Sequence, residues 1–441
     1  TITDFSVPSK TFGDASFNIT PPTSNGSGAY VYISSNTAVA TISGTTVTIV
    51  GAGNSTISAI QISDATYFSG TITATLTVNQ ATTIIGTFSV PSKTFGDASF
   101  NITAPTSNSN GLITYASSDT SVATISGTTI TIVGGGSSTI SANQASTTNY
   151  TSGTVTSTLT VSPAITVLSN FSVPTKTVGD VSFSITPPTT NSNGLITYTS
   201  SNTSVATIVD STMTIVGAGS STVTATQAST PSFLSQTITT TLTVNQGIPG
   251  LTNFSVPTKT FGDASFNITP PTSNSDGDFT YTSSNTSVAT IVGQTITIVG
   301  GGSSTISAIQ ATTTNYISRT ITATLTVNPS IPVITNFSLP AKYFGDPTFL
   351  LTPPVSNSNG AFTYRSSNTA VARVAKNVVS IVGRGVATIT AIQANTTNYA
   401  SETITGLFTV AEPSYESQLR AFTYASGINN AVLNNGTMWV A

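Results

Sequence analysis

A lysine and an aspartate recur at a fixed spacing within the motif KTFGD. They are the charged residues of the chain that are placed regularly enough to form a chemical site. The motif, or a close variant, occurs five times, and the lysine precedes the aspartate by four residues. One interpretation is a contact between domains or a cation site near the end of a domain. The other is an aspartate that caps a turn beside a surface lysine. The pairs are Lys10/Asp14, Lys93/Asp97, Lys176/Asp180, Lys259/Asp263 and Lys342/Asp346.

These five aspartates are weak candidates for binding calcium. A Ca²⁺ ion takes about six to eight oxygen ligands, usually with several carboxylates among them. Each copy of the motif supplies about one carboxylate. We therefore predict no metal site and no cofactor.

The chain lacks the residue types on which most catalytic sites depend. The chain has no histidine and no cysteine, and charged residues make up 6% of it, so the usual triads, metal sites and acid–base pairs cannot be assembled. The glycine runs IVGAG and IVGGG lack the Lys-Ser/Thr and the helix of a phosphate-binding loop. The sequence predicts a chain that is not an enzyme, with its glycine runs as hairpin turns.

Asn-x-Ser/Thr sequons are a further possible modification site. Because serine and threonine are so common here, the sequons occur about as often as chance predicts, and O-glycans on threonine-rich faces are equally open. The candidate glycosylation sites are Asn18, Asn101, Asn170, Asn253, Asn267 and Asn336.

All these patterns return with a step of 83 residues. The proline of FSVP stands at 8, 91, 174, 257 and 340, without an insertion or deletion. A segment of this length can bury its own core, so we predict five tandem domains. Their bounds are 1–83, 84–166, 167–249, 250–332 and 333–411, followed by a linker and the start of a further, truncated β domain at 412–441.

Within each repeat the apolar residues alternate with polar ones. In RTITATLTVN (319–328), Ile321 and Leu325 share one face and Thr320 and Thr324 the other, which indicates a sheet with one buried and one wet face. NFSVPTKTFGD has the alternation of an edge strand, where proline is tolerated. About seven short strands per repeat predict an all-β fold: five immunoglobulin-like Greek-key β-sandwiches in an elongated rod.

One run of the fourth repeat, YTSSNTSVATIVGQTITIVGGGSSTISAIQA, resembles the signature of group 2 bacterial immunoglobulin-like domains. A tyrosine stands where that family often has tryptophan, and the hairpin is shorter. The resemblance covers 1–411 and implies a spacer or adhesive module of adhesins, cell-wall proteins, phage tails and virion fibres. The matching residues are Tyr281, Ser284, Asn285, Val288, Ala289, Thr290, Gly300 and Gly302.

The serine–asparagine turn within this run has a structural interpretation. We expect it to carry the chain from the strand bearing Tyr198 to the Val205 strand at the edge of the sandwich, with its side chains satisfying the backbone at the corner.

The composition also limits where the protein can be located and which partners it can bind. A net charge of −3 is too small to steer nucleic acid or an anionic membrane, and no apolar run approaches the ~20 residues that span a bilayer. Surfaces this neutral tend to associate. The start TITDFSVP has no initiator methionine or signal peptide, which indicates a processed or partial product. We expect an extracellular chain, on a cell or virion surface, that associates with itself or with structural neighbours.

The fifth repeat and the segment after it differ from the rest. Arg365, Arg373 and Arg384 stand where the earlier repeats have uncharged residues, among them threonine and glycine-turn residues. A diverged terminal repeat suggests a docking end, and simple drift is the alternative. After residue 411 the period stops. NNGTMWVA is similar to the first strand of a tryptophan-bearing β-repeat of sialidase-like or propeller domains, which predicts that a head domain follows and binds a host glycan or receptor.

Three functions fit these observations. The first is a stalk or fibre of roughly 180–200 Å that spaces a head or an anchor. The second is an adhesin whose repeats themselves bind glycan or protein, with avidity from five copies. It needs exposed aromatics or acids on loops. The repeated aromatics of repeat 1 stand in strand-like contexts that predict core positions: Phe5, Phe17, Tyr32 and Tyr67. Tyr30 looks exposed but is not repeated. The third is a filament or virion subunit that packs laterally through its threonine faces.

Overall fold

The protein is described by a computed structural model, which covers residues 1–413, 431–434 and 437–440. Every regular element in these residues is a β-strand, which confirms the prediction of an all-β fold. None of the described segments forms an apolar helix of the length that crosses a membrane. The chain packs into two compact units. The first holds residues 1–174, 181–214 and 220–242. The second holds residues 175–180 and 215–219 and the described residues from 243 onward.

The strands recur at the same offsets in each repeat. Repeat 1 has β1 Ile2–Thr3, β2 Lys10–Thr11, β3 Phe17–Asn18, β4 Thr23–Ser24, β5 Tyr30–Ser34, β6 Ala40–Ser43, β7 Thr46–Ile49, β8 Gly53–Gln61 and β9 Gly70–Asn79. Repeat 2 has β10 Lys93–Thr94, β11 Phe100–Asn101, β12 Ile113–Ser117, β13 Ala123–Ser126, β14 Thr129–Ile132, β15 Gly136–Gln144 and β16 Gly153–Ser162. Repeat 3 has β17 Leu168–Ser169, β18 Lys176–Thr177, β19 Phe183–Ser184, β20 Thr189–Thr190, β21 Ile196–Ser200, β22 Ala206–Val209, β23 Thr212–Ile215, β24 Gly219–Gln227 and β25 Gln236–Asn245.

The same series continues in the second unit. Repeat 4 has β26 Lys259–Thr260, β27 Phe266–Asn267, β28 Phe279–Ser283, β29 Ala289–Val292, β30 Thr295–Ile298, β31 Gly302–Gln310 and β32 Arg319–Asn328. Repeat 5 has β33 Ile334–Thr335, β34 Lys342–Tyr343, β35 Phe349–Leu350, β36 Val355–Ser356, β37 Phe362–Ser366, β38 Ala372–Ala375, β39 Val378–Ile381, β40 Gly385–Gln393 and β41 Glu402–Ala411. Beyond it, β42 Ala431–Asn434 pairs antiparallel with β43 Thr437–Val440.

Each repeat builds two sheets. In repeat 1 a four-stranded sheet has the order β2-β9-β8-β5 and a three-stranded sheet the order β3-β7-β6, and repeats 2, 4 and 5 repeat both orders. The strands β8 and β9 pair antiparallel along their whole length, whereas the short β2 runs parallel to β9. Because the chain passes from one sheet to the other between β5 and β6 and again between β7 and β8, the fold is the immunoglobulin-like Greek key.

Residues from both sheets form one core in the repeat. In repeat 4 the fully buried Ile296 of the smaller sheet lies in a cluster with Ile306 and Leu325 of the larger one. On β32 the side chains of Thr320 and Thr324 are exposed while Leu325 is buried, so the predicted alternation of wet and buried faces is confirmed. Threonine suits the exposed face because it is β-branched and hydrogen-bonds water.

The predicted edge strand NFSVPTKTFGD forms only in part. Asn253 has a left-handed backbone with φ 58°, and the residues that follow it up to Thr258 belong to no strand. Pro257 lacks the N–H that a ladder needs. Strand pairing begins at Lys259, where β26 lies at the edge of the larger sheet beside β32.

The serine–asparagine turn has the predicted structural role. In repeat 3 it carries the chain from β21 to β22, which lies at the edge of the smaller sheet. Asn202 donates its backbone N–H to the Ser221 hydroxyl at 3.0 Å, and its side-chain oxygen accepts the N–H of Ser204 at 3.1 Å. Polar side chains thus satisfy the backbone where the chain changes sheets.

The prediction that the glycine runs are hairpin turns is wrong. Gly51 lies between β7 and β8, which belong to different sheets. The turn is held by the backbone: Val50 and Gly51 both donate their N–H to the carbonyl of Val39. A Cβ on Gly51 would lie 2.6 Å from the carbonyl oxygen of Ala38, so the close approach of two backbones explains this glycine.

A tyrosine of the larger sheet packs on the phenylalanine of FSVP in every repeat. In repeat 4 the rings of Tyr281 and Phe254 have centroids 6.4 Å apart. The Tyr281 hydroxyl is buried and has no hydrogen-bond partner, as in Tyr32, Tyr115 and Tyr364. Burial raises the pKa of Tyr281 above its usual 10.0, because a tyrosinate would be desolvated there.

We expect Tyr281→Phe to change the free energy of unfolding of repeat 4 by less than about 1 kcal/mol at neutral pH, since no hydrogen bond is lost. Above pH ~10 the unfolded chain releases a proton that the folded repeat keeps, so stability falls as the pH rises. The wild type then loses up to about 1.4 kcal/mol per pH unit relative to the variant. Pulse proteolysis in urea between pH 8 and ~11, read from repeat-4 peptides, measures the difference. Parallel pH profiles of the two chains would contradict a raised pKa of Tyr281 in the folded repeat.

Candidate functional site: the junctions between repeats

A loop before the last strand of repeat 2 faces repeat 1. Thr147 closes it by donating its backbone N–H to the Tyr150 carbonyl at 2.9 Å. The Thr147 hydroxyl accepts the backbone N–H groups of Asn149 at 3.3 Å and Tyr150 at 3.1 Å. A threonine that bonds its own neighbours in this way shapes a tight turn, which presents Asn149 and Tyr150 to the preceding repeat.

Asn149 and Tyr150 make the direct contacts with repeat 1. The Asn149 side-chain oxygen accepts the backbone N–H of Ala52, in the middle of the glycine turn, at 2.9 Å. The ring of Tyr150 meets Phe12 edge to face, with centroids 5.5 Å apart and an interplanar angle of 79°, a favourable aromatic geometry. The junction therefore joins the KTFGD motif and the glycine turn of one repeat to the loop of the next.

The linker between the two repeats is hydrogen-bonded as well. Ala81 donates its N–H to the Asn149 carbonyl and accepts the N–H of Thr151, both at 2.9 Å. The side chain of Gln80 donates to the Thr147 carbonyl at 2.6 Å, and the Thr83 hydroxyl donates to the Thr151 carbonyl. Because successive linker residues are paired, an insertion or a deletion would break the junction, which explains the constant step of 83.

Equivalent contacts occur at the other junctions. In the first unit, Gly135 donates its N–H to the Ser232 hydroxyl at 3.0 Å, and Phe95 packs on Phe233 at 5.3 Å. In the second unit, Ala218 donates to Asn315 at 2.9 Å and Gly301 to Asn398 at 2.8 Å, and Phe261 packs on Tyr399 at 5.4 Å. Parallel bridges join Ala164 to Phe233, Gly247 to Tyr316 and Ser330 to Tyr399.

The charged residues of KTFGD stabilise the turn that presents the junction phenylalanine. The Asp14 carboxylate accepts the backbone N–H of Thr11 at 2.8 Å. The Lys10 ammonium lies 5.0 Å from the centroid of the Phe17 ring, a cation–π contact. The same contact is made by Lys93, Lys259 and Lys342.

The aspartates considered as weak calcium candidates all cap this turn. Each carboxylate accepts the backbone N–H of the residue three positions earlier, at 2.8 to 3.0 Å: Asp97 from Thr94, Asp180 from Thr177, Asp263 from Thr260 and Asp346 from Tyr343. Across the described residues, 1–413 included, no three metal-ligating side chains stand together. A single carboxylate that already bonds the backbone supplies too few oxygens for Ca²⁺. The geometry therefore favours turn capping over a cation site for Asp14, Asp97, Asp180, Asp263 and Asp346.

The other candidate residues are dispersed. Arg365 lies exposed on the larger sheet and Arg373 exposed on the smaller one, and Arg384 occupies the glycine turn of repeat 5. The six candidate asparagines for glycosylation are all exposed. Asn18 and Asn101 accept a hydrogen bond from a threonine hydroxyl across the sheet.

Two expectations about aromatic residues are wrong. Tyr30 is half-buried against the core of repeat 1 and its ring stacks on Tyr32, so it is not an exposed side chain. Tyr67, expected in the core, is 44% exposed, and the adjacent Phe68 is 98% exposed. Tyr67 is the repeat-1 equivalent of the junction residue Tyr150, and among the described residues there is no preceding repeat for it to contact.

A buried glutamine at the end of β31 is a structural residue that the sequence reasoning misses. Gln310 is 1% exposed, accepts the Ser273 hydroxyl at 2.7 Å, and donates to the carbonyls of Ser275 at 3.0 Å and Gly277 at 2.9 Å. It thus anchors the long polar loop to the larger sheet. A signal is present, because glutamine recurs at this position in all repeats: Gln61, Gln144, Gln227, Gln310 and Gln393.

No family model matches the chain, and no curated protein matches it. Solved structures similar to it include Sidekick-1 immunoglobulin domains 1–5, with 12% identity over 92% of this chain and 97% of that one and a TM-score of 0.24. Drosophila N-cadherin EC1-4 is 10% identical over 74% of this chain and 99% of that one, with a TM-score of 0.25.

A SusE-like surface-located polysaccharide-binding protein of Bacteroides thetaiotaomicron is 14% identical over 94% of this chain and 73% of that one, with a TM-score of 0.17. Likenesses this low carry no inference about partners or ligands. The sheet orders of the chain itself are the ground for its class: it is a tandem array of immunoglobulin-like β-sandwiches.

Proposed function

We propose that the chain is a non-enzymatic stalk or fibre segment of a cell or virion surface, which spaces a head or an anchor domain. The observation that carries the proposal is the repeated junction. A spacer needs each domain to be held against the next, and here a hydrogen bond, an aromatic contact and a paired linker recur between repeats 1 and 2 and between repeats 4 and 5.

The finer assignments belong to the same proposal. The chain is a set of group 2-like bacterial immunoglobulin-like domains with one domain per 83-residue repeat, outside the cell, and its partners are neighbouring structural subunits. The segment after residue 411 leads to a head domain that contacts a host glycan or receptor. The paired strands β42 and β43 are compatible with the start of a further β domain.

A second function, direct adhesion, is favoured by one observation. Phe68 is 98% exposed and stands beside Tyr67, which is 44% exposed, at the first repeat's loop, and aromatic residues are enriched at protein interfaces. In this alternative repeat 1 binds glycan or protein through the loop.

Small-angle scattering on the full chain, over a concentration series with and without Ca²⁺, tests the proposal. We expect a mass that does not change with concentration and a longest dimension of roughly 180–200 Å, the same in both buffers. A mass that grows with concentration supports lateral assembly into a filament instead. A compact particle that extends only with Ca²⁺ overturns the turn-capping role of Asp14 and its equivalents. Phe68→Ser is the control for the adhesion alternative. It removes the exposed aromatic on which direct binding by repeat 1 would depend, and it leaves the contacts between the repeats untouched.

A further inference from the structure

The middle residue of the glycine turn is small wherever a sandwich docks on it. The position is Ala52, Gly135, Ala218 and Gly301 in repeats 1 to 4, and its N–H donates to the next repeat in each case. A Cβ on Gly135 would lie 1.9 Å from the carbonyl oxygen of Pro231, and a Cβ on Gly301 would lie 2.0 Å from that of Thr397. Any long side chain at this position therefore collides with the loop of a docked repeat.

Repeat 5 has Arg384 at this position, and the side chain lies over part of the docking surface. Its guanidinium carbon lies 5.5 Å from the centroid of the Phe344 ring and its Nη1 forms an ion pair with Glu412. Phe344 is the equivalent of Phe12 and Phe261, whose rings pack on an aromatic of the next repeat. The guanidinium thus contacts the phenylalanine that packs on the next repeat's aromatic ring elsewhere.

Glu412, like Arg384, disfavours the docking of another repeat on repeat 5. Its equivalents in repeats 1 and 3 are Gln80 and Gln246, each of which donates a hydrogen bond to a carbonyl of the following loop, at 2.6 Å. A carboxylate has no proton to donate and repels a carbonyl oxygen. Two positions that contact the next repeat in the junctions after repeats 1 and 3 are therefore replaced in repeat 5 by residues that bind each other.

The opposite half of a junction is preformed at repeat 1. Asp64 donates its N–H to the Tyr67 carbonyl at 3.0 Å and accepts the N–H groups of Thr66 and Tyr67 at 2.8 Å, as Thr147 does in repeat 2. Hydrogen bonds from the backbone of Ser27, Thr66 and Tyr67 hold the pKa of Asp64 below its usual range, so the carboxylate that shapes the loop stays ionised at neutral pH.

We propose that Arg384 and Glu412 close the end of repeat 5 against another sandwich of this kind, in particular against repeat 1 of a second copy. A head-to-tail contact between copies leaves a free surface at each end, so it builds open filaments, or rings where its rotation closes. Repeat 1 carries a loop on which Tyr67 and Phe68 are exposed, and the Arg384–Glu412 pair lies across part of the matching surface of repeat 5. This inference concerns the docking surfaces of repeats 1 and 5 and does not depend on the proposed spacing role.

The test is the double variant Arg384→Gly/Glu412→Gln in the full chain, which leaves the net charge unchanged. Analytical ultracentrifugation and light scattering follow its mass over a concentration series. We expect the wild type to keep the mass of one chain, whereas the average mass of the double variant rises at least about twofold at the highest concentrations. Adding Tyr67→Ser to the double variant should restore the mass of one chain.

Arg373→Thr is the matched control, because it removes an exposed arginine of the same repeat away from the turn. It should behave as the wild type does. A double variant that keeps the mass of one chain at every concentration overturns the proposal. So does a wild-type chain that associates as readily as the double variant, or an association that Tyr67→Ser leaves intact.

Discussion

Gln310→Leu is expected to destabilise repeat 4 by about 3 kcal/mol. The leucine fills a similar volume but leaves the carbonyls of Ser275 and Gly277 without their donor and the Ser273 hydroxyl without its acceptor, in a site where Gln310 is 1% exposed. Burying unsatisfied polar groups costs more than the net value of the hydrogen bonds that are lost.

Hydrogen exchange with peptide resolution measures this effect in the intact chain, since an array of similar repeats gives no single unfolding transition. A loss of about 3 kcal/mol corresponds to roughly a hundredfold faster exchange in β31 and β32. Gln294→Leu is the matched control: the same substitution, in the same repeat, at an exposed turn. Unchanged exchange of β31 in Gln310→Leu would contradict a structural role for the buried amide.

Gly301→Val is expected to undock repeat 5 from repeat 4 while both sandwiches stay folded. The backbone of Gly301 has no left-handed φ, so the substitution acts only through space. Even the Cβ meets the carbonyl oxygen of Thr397 at 2.0 Å, and the γ carbons extend further. The hydrogen bond to Asn398 and the contact between Phe261 and Tyr399 are then lost.

Limited proteolysis with a nonspecific protease reads this result from cleavage in the linker between β32 and β33. We expect cleavage at least about tenfold faster than in the wild type, corresponding to about 1.4 kcal/mol of lost docking, with unchanged hydrogen exchange inside β31. Arg384→Val is the matched control, because it places the same side chain at the equivalent turn of repeat 5, where no sandwich is docked among the described residues. Linker cleavage at the wild-type rate in Gly301→Val would show that the repeats do not rely on this contact.

The local part of the fold follows from the sequence because its causes are local. The alternation in β32 has a period of two, so Thr320 and Leu325 can be assigned to opposite faces without knowledge of their neighbours. The turn at Asn202 is recognisable because its side chain bonds the backbone two residues away. The strand at Pro257 is predicted too long because alternation alone does not show that the ladder partner is missing.

The junction cannot be predicted in this way, because its partners lie far apart in the chain. Ala52 and Asn149 are separated by 97 residues, and nothing in the spacing of a single repeat indicates which loop meets which turn. The glycine turn is mistaken for a hairpin for the same reason: β7 and β8 are adjacent in sequence but lie in different sheets. The sequence does carry one signal of the junction. The middle residue of the glycine turn is alanine or glycine in repeats 1 to 4 and becomes arginine only at Arg384.

The parallel pairing of the first and last strands has a mechanical consequence. In repeats 1, 2, 4 and 5 the strand after FSVP or its variant runs parallel to the final strand, with Lys10 opposite Val78 and the equivalents aligned in the same register. Tension that enters a sandwich through both flanking linkers draws these two strands in opposite directions along their own axes. Their hydrogen bonds then carry the force together in shear, whereas antiparallel end strands would open one bond at a time.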